Sequence, residues 1–371
     1  MKIFQGLLIL TLLFGIACHK RVIDKDDLRD FQQVNLVANK AMYGPKLVDM
    51  TLQNAWGLAW SPTGIAWVNS NGYHVSELYT AEGAIVRAPV RIPSPSDTMG
   101  GEPTGIVFSG GKGFTLANHQ GAAFLFVGED GVLSGWNGAA GNNALRIWED
   151  SANAIYKGLA LASTGGANFI YAANFKTGMI DVWDTTFTPV SMPFHDPGIP
   201  SGYAPFNIQA IGSWLFVSFA KQGQDGDEAD GPGLGFVDIF NPDGSFVRRF
   251  ASRGTLNAPW GMAMAPAGFL EENDMSDDSG KGNMAKGEGK DDVSAPVILI
   301  GNFGDGRINV FAQDGQYLGQ LKSHNKTIAI EGLWAIGFAP TTATAVDPKR
   351  LYFTAGPADE SDGLFGYLIK Q

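Results

Sequence analysis

The chain has 371 residues, 44% of them hydrophobic and 11% aromatic, which is ample material for a buried core. Its 49 glycines and 19 prolines are dispersed along the length, which points to many turns and an all-β chain. A formal net charge of −11 without any basic stripe excludes nucleic-acid binding, because phosphate contacts need clustered Lys and Arg. Cys18 is the single cysteine, so disulfide frameworks, thiolate zinc sites and cysteine nucleophiles are excluded from the remainder.

In chain order, residues 1–17 come first. Lys2 precedes an apolar run over 3–14 that is too short to span a bilayer and reads as an export signal. Gly15-Ile16-Ala17-Cys18 resembles a bacterial lipobox, with Gly15 where Leu is usual. Cys18 is therefore expected to carry diacylglycerol, and ordinary signal cleavage near Ala17 is the alternative. Two or three acyl chains hold a protein firmly on a membrane. The expected location is the cell envelope, at the outer membrane or cell surface of a Gram-negative cell, with residues 18–30 as a polar tether.

Residues 31–37 read as a strand standing ahead of a repeat. One phrase then returns at intervals of about 50 residues, the signature of stacked or radial repeats. It appears as Ala55-Trp56-Gly57, Pro103-Thr104-Gly105, Tyr156-Lys157-Gly158, Pro205-Phe206-Asn207, Pro259-Trp260-Gly261 and Ile330-Glu331-Gly332. Each copy opens a set of short strands, A to D. Repeat two is expected to place them at 104–108, 113–117, 122–127 and 132–136, and repeat three to place its D strand at 187–192. The pairs Asp130-Gly131, Asp243-Gly244 and Asp314-Gly315 suit tight hairpins in which both central residues have positive φ.

Repeat six offers only three strands, at 333–338, 351–354 and 364–369. A strand missing at one terminus and a surplus strand at the other have one joint explanation: residues 33–37 complete the last blade and close a ring. The expectation is a single six-bladed β-propeller domain over 31–371. An insert at 271–295, nearly devoid of apolar residues, is expected to be a mobile loop. An acidic loop over 221–235 carries Asp225, Asp227, Glu228 and Asp230. That loop reads as solvated acid, with a calcium site at Asp225, Asp227 and Asp230 as the alternative.

The phrases Ala258-Pro259-Trp260-Gly261-Met262-Ala263 and Gly306-Arg307-Ile308-Asn309-Val310-Phe311 resemble the NHL-repeat propeller unit. More of the chain resembles a bacterial propeller family in which some members carry a C-terminal PEP-CTERM sorting signal. The phrases that carry this include Asn54-Ala55-Trp56-Gly57, Gly202-Tyr203-Ala204-Pro205-Phe206-Asn207 and Gly301-Asn302-Phe303-Gly304-Asp305-Gly306. The resemblance implies a fold and no activity. This chain departs from the sorted members by ending at Gln371 without that signal.

In a propeller, A strands begin and B strands end on one face, so polar residues at those points converge on one mouth. B-strand ends supply Asn69, Asn118 with His119, Asn174 and Asn302; A-strand starts supply Glu102, Lys157, Asn207 and Glu331. The candidate binding set is Glu102, Asn118, Asn174, Asn207, Asn302 and Glu331. Side-chain amides with carboxylates suit Ca²⁺, and Glu102, Asn174, Asn207 and Asn302 are the candidate ligands. They resemble the sets with which lactonase propellers hold a metal that polarises a lactone carbonyl. Two functions follow. One is a monomeric binding module for a carbohydrate, peptide or protein; the other is a calcium-dependent lactonase or ester hydrolase with His119 as base. Asn also simply caps strands and turns. Trp56 and Trp260 read as strand core, or as sugar-stacking residues at the mouth.

Overall fold

The computed structural model describes residues 23–111, 113–224, 226–271 and 295–371. The expected export signal, Cys18, Asp225 and nearly all of the insert lie outside the described residues. The rest forms six antiparallel blades around a central axis. Blade one comprises Ala55–Trp60, Ile65–Ser70, Val75–Thr80 and Val90–Arg91 in spatial order. Blade four comprises Tyr203–Ile211, Trp214–Gln222, Phe236–Phe240 and Phe246–Ser252. Blade five comprises Pro259–Met264, Ile298–Asn302, Ile308–Phe311 and Tyr317–Gln320.

Blade two departs from the sequence expectation. Its B, C and D strands are Phe124–Gly128, Val132–Trp136 and Leu145–Glu149, behind the A strand Pro103–Phe108. Residues 113–121 instead fold into a small turn between A and B, joined by a single Thr115–Gly121 bridge. Blade three holds three strands, Tyr156–Thr164, Ala167–Asn174 and Met179–Asp184. Its expected fourth segment makes only a Trp183–Pro189 bridge and one hydrogen bond from the Val190 amide to the Val182 carbonyl at 2.8 Å. The Asp-Gly turns also differ. Only the glycine has positive φ, 74° at Gly131, 83° at Gly244 and 98° at Gly315, the pattern of a type I turn followed by a left-handed residue.

The ring closes as the split repeat requires. Phe31–Ala38 runs antiparallel to Leu364–Lys370, with Val34 opposite Tyr367, and completes blade six beside Leu333–Gly337 and Leu351–Ala355. Leu36, Val37 and Ala38 have no exposed surface, so the closing strand is core as well as edge cover.

The glycine of the repeated phrase explains how the A strands approach one another. A Cβ on Gly57 would run into the Thr104 carbonyl, one on Gly105 into the backbone of Leu159, and one on Gly261 into the Trp334 carbonyl. Asn207 takes this place in blade four and spans the gap with its side chain. Its Nδ2 donates to the Trp260 carbonyl at 2.7 Å. In blade six the matching residue is Ala335. Gly332, which the sequence aligned there, precedes the strand in a left-handed turn at φ 64°.

Candidate functional site

The residue immediately before the shared position faces its counterparts from the other blades. These six are Trp56, Thr104, Lys157, Phe206, Trp260 and Trp334, and the aromatic ones form one buried cluster with Phe175 and Phe303. Trp56 stacks on Trp334 at 3.6 Å between centroids, Phe303 stacks on Trp334 at 4.0 Å, and Trp260 and Phe206 meet Trp334 at 5.9 Å. Two of the three indole donors are tied down, while the buried Trp56 Nε1 has no partner among the described residues. Trp334 Nε1 donates to Asn54 Oδ1 at 2.8 Å, and Trp260 Nε1 to the Lys157 carbonyl at 3.0 Å. The mouth of the channel is thus plugged with aromatic rings. Trp56 and Trp260 are core, not a sugar-stacking rim.

Lys157 is the charged member of this ring, with only 2% of its side chain exposed. Its ammonium lies 5.1 Å from the Trp56 ring centroid and donates to Glu129 Oε1 at 2.6 Å and Asp227 Oδ1 at 2.9 Å. Glu228 Oε2 stands 3.5 Å away. Burial alone would push the ammonium toward its neutral form, but Glu129, Glu228 and Asp227 outweigh it, and the lysine pKa is raised. Lys157 is a permanent cation at the centre of the mouth.

Glu360 completes the group from blade six. It ends a run of three left-handed residues, Ala358, Asp359 and Glu360, at φ 58°, 50° and 63°. Such backbone costs about 1–3 kcal/mol per residue and persists only where its surroundings fix it. Here the Ala358 amide donates to Glu331 Oε1 at 3.0 Å, and Asn54 Nδ2 donates to Glu360 Oε2 at 2.6 Å. Burial, then the charges of Glu228 and Glu129, push the Glu360 carboxyl up to about 7 against the opposing pull of Lys157. Burial likewise raises Glu228, with Lys157 opposing.

Most of the amides expected to converge on a metal make local hydrogen bonds, although the buried Asn302 Oδ1 has no partner among the described residues. Asn174 donates to Asp181 at 2.9 Å and accepts the Ile155 and Thr177 amides at 3.3 Å. Asn302 donates to the Thr255 carbonyl at 2.8 Å and to Asp305 at 3.0 Å. Asn69 donates to the Thr104 carbonyl at 2.9 Å, and Asn207 bridges to Trp260. Glu102 and Glu331 are exposed at the mouth, as is Asp230 in the acidic loop, where Asp227 pairs with Lys157. Among the described residues no three His, Cys, Asp or Glu side chains are placed to hold a metal ion.

Asn118 and His119 do not belong to the mouth. They sit in the turn between strands A and B of blade two, which lies on the opposite face, where Asn118 exchanges hydrogen bonds with Asn137 at 2.9 and 3.1 Å. The true B-strand end of that blade leads into Glu129. Sequence reasoning missed Glu129 and Glu360, although the residue following each correctly placed B strand was the signal that could have found Glu129.

Six blades closed around a plugged axis define the chain as a six-bladed β-propeller, and a solved structure of a streptogramin B lyase shares the fold. That structure superposes with a TM-score of 0.50 at 12% identity, covering 92% of this chain and 97% of that one. No family model matches the chain. Uncharacterized protein L690 of Acanthamoeba polyphaga mimivirus is 32% identical over 339 residues, spanning 87% of this chain and 81% of its own length. Uncharacterized protein R648 of the same virus is 29% identical over 339 residues, spanning 87% and 76%. The chain belongs to the family of L690. Both relatives are viral, whereas the sequence phrases resemble bacterial proteins.

The elevated Glu360 carboxyl carries a pH signature. The folded chain keeps a proton up to about 7 that an ordinary glutamate carboxyl, at about 4.5, loses much earlier. The stability this group contributes is therefore fully present below about 4.5 and lost as pH rises through about 7. Glu360→Gln keeps the bond from Asn54 without the charge. Thermal melts should show the variant more stable than wild type at pH 8, by on the order of 2 kcal/mol, with the two equal at pH 4.

Proposed function

We propose that the chain is an exported, lipid-anchored binding module that takes a basic segment of a partner protein on its acidic mouth. One observation carries this reading: the mouth holds more carboxylates than its own cation neutralises. Glu129, Asp227 and Glu228 share the single Lys157 ammonium, and Glu102, Asp230, Glu331 and Asp359 stand exposed around them. Of the cations around the rim, Lys176 donates to the Ala152 carbonyl at 2.9 Å, Arg307 stands beside Asp305 at 3.8 Å, and Lys221 is exposed opposite Ala229 of the acidic loop. A ring of fixed carboxylates attracts and orients a cationic partner.

The same geometry favours binding over the lactonase alternative. Of the candidate ligand oxygens, Asn174 Oδ1 accepts the Ile155 and Thr177 amides and Asn207 Oδ1 accepts the Ile208 amide, and Lys157 already fills the centre with positive charge. His119 faces the other side. For export, the support is the run of residues before Cys18.

The binding reading is tested with a labelled decalysine peptide in low salt, followed by anisotropy. Binding should weaken about tenfold in the triple variant Glu102→Gln, Asp230→Asn, Asp359→Asn and fall with added salt. Equal binding of an uncharged glycine-serine peptide would sink it. The anchor is tested separately. A chain expressed with its leader in a bacterial host should take up labelled palmitate, and Cys18→Ser should not; label retained in the variant, or absent from both, rules the anchor out.

A further inference from the structure

Blade three stops at three strands, and the sequence that follows its edge strand explains why. Residues 185–201 hold Pro189, Pro193, Pro197 and Pro200, and a proline has no N–H to give to a ladder. The segment pairs with Met179–Asp184 only as far as Val190. At Pro193 it turns away, with the Phe194 amide on the Met192 carbonyl at 3.0 Å, the i to i+2 bond of a γ-turn. Along this edge lies a groove of about 450 Å³, between Ser191 and Met192 of the departing segment and Trp148 and Asp150 of blade two. That volume falls within the ~300–1,000 Å³ typical of small-molecule sites.

Trp148 is the aromatic side chain that the groove exposes, at 37%. Its ring meets Trp183 edge-on at 6.4 Å, and Trp183, only 2% exposed, meets Tyr156 at 5.9 Å. The two buried rings therefore fix the exposed one in place and do not themselves face a ligand. Beside it, Asp150 spends Oδ1 on Asn153 Nδ2 at 2.8 Å and keeps Oδ2 without a partner among the described residues. Asp181 is occupied by Asn174 and Tyr156. The hydroxyl of the exposed Ser191 makes no hydrogen bond with any described residue.

No Lys or Arg lines the groove, so an anionic ligand would meet Asp150 and Asp181 without compensation. A cation would find one exposed ring and not a cage of them. A rigid indole beside open carboxylate and hydroxyl oxygens matches a molecule with one apolar face and a rim of hydroxyl donors. We infer that this groove binds a neutral carbohydrate, with a sugar ring laid on Trp148 and its hydroxyls donating to Asp150 Oδ2 and Ser191. The site is independent of the acidic mouth and shares no residue with it.

The full chain is titrated calorimetrically with the neutral sugars maltotriose, cellotriose, mannotriose and triacetylchitotriose, and with the anionic trigalacturonate. At least one neutral sugar should bind saturably at one site, and trigalacturonate should not. Trp148→Ala should weaken that sugar at least about tenfold, while Trp148→Phe, which keeps a ring, should lose less. Circular-dichroism melts check the fold of each variant. Should Trp148→Ala fail to fold, Ser191→Trp fills the groove from an exposed position and should have the same effect. The proposal is overturned if no neutral sugar binds, if trigalacturonate binds as well as they do, or if binding is undiminished in a folded Trp148→Ala or Ser191→Trp variant. Trp148-dependent binding of decalysine in place of any sugar would make the groove a peptide site and overturn it equally.

Discussion

The mouth depends on one buried ammonium. Lys157 is fixed between an indole face and three carboxylates, and neither side of that arrangement is tenable without the other. Burying a lone cation is costly, and so is crowding Glu129 and Glu228 at the end of an apolar plug; each offsets the other only when geometry and hydrogen bonds are good. The geometry is supplied by the A strands, which stand close because Gly158 leaves room for Asn207, and Gly57 for the Thr104 carbonyl. The Trp56 face adds a cation–π contact at 5.1 Å, a term that strengthens when the cation is desolvated.

From this centre the constraint spreads into the ring. Asn54 links Trp334 of the plug to Glu360 of the last blade, and itself sits at φ 44° just before the first A strand. Glu360 in turn holds its place through a left-handed run that only fixed surroundings sustain. Blade six is made from both ends of the repeat array, so the Asn54–Glu360 contact also ties the start of the ring to its finish. Strain, charge and closure meet at one seam.

The architecture was legible because it is periodic. A phrase that recurs, and a last repeat short by the strand that the first has in surplus, leave few folds open. Blade two misled because residues 113–117 carry strand-like residues but lie where the chain turns back, and that shift moved Asn118 and His119 to the wrong face. Blade six misled because Gly332 resembles the shared glycine, while the structure aligns on Trp334. The amide ring failed for a different reason: Asn174 and Asn302 sit at strand ends where local amides and carbonyls need partners, and they serve those first. The cluster that does form draws on Glu129, Lys157, Glu228 and Glu360 from four blades. No local pattern announces such a set, because it exists only once the ring has closed.

Above the aromatic plug the mouth is acidic, and Lys157 is the buried cation on which its carboxylates converge. Urea unfolding of Lys157→Met against wild type across pH tests this most directly. The account predicts a loss of about 3–5 kcal/mol at pH 8, because the carboxylates lose their shared cation, and a gap that shrinks as pH falls through about 7 and Glu360 takes up its proton. A variant as stable as wild type at pH 8, or a gap of constant size at every pH, would contradict it.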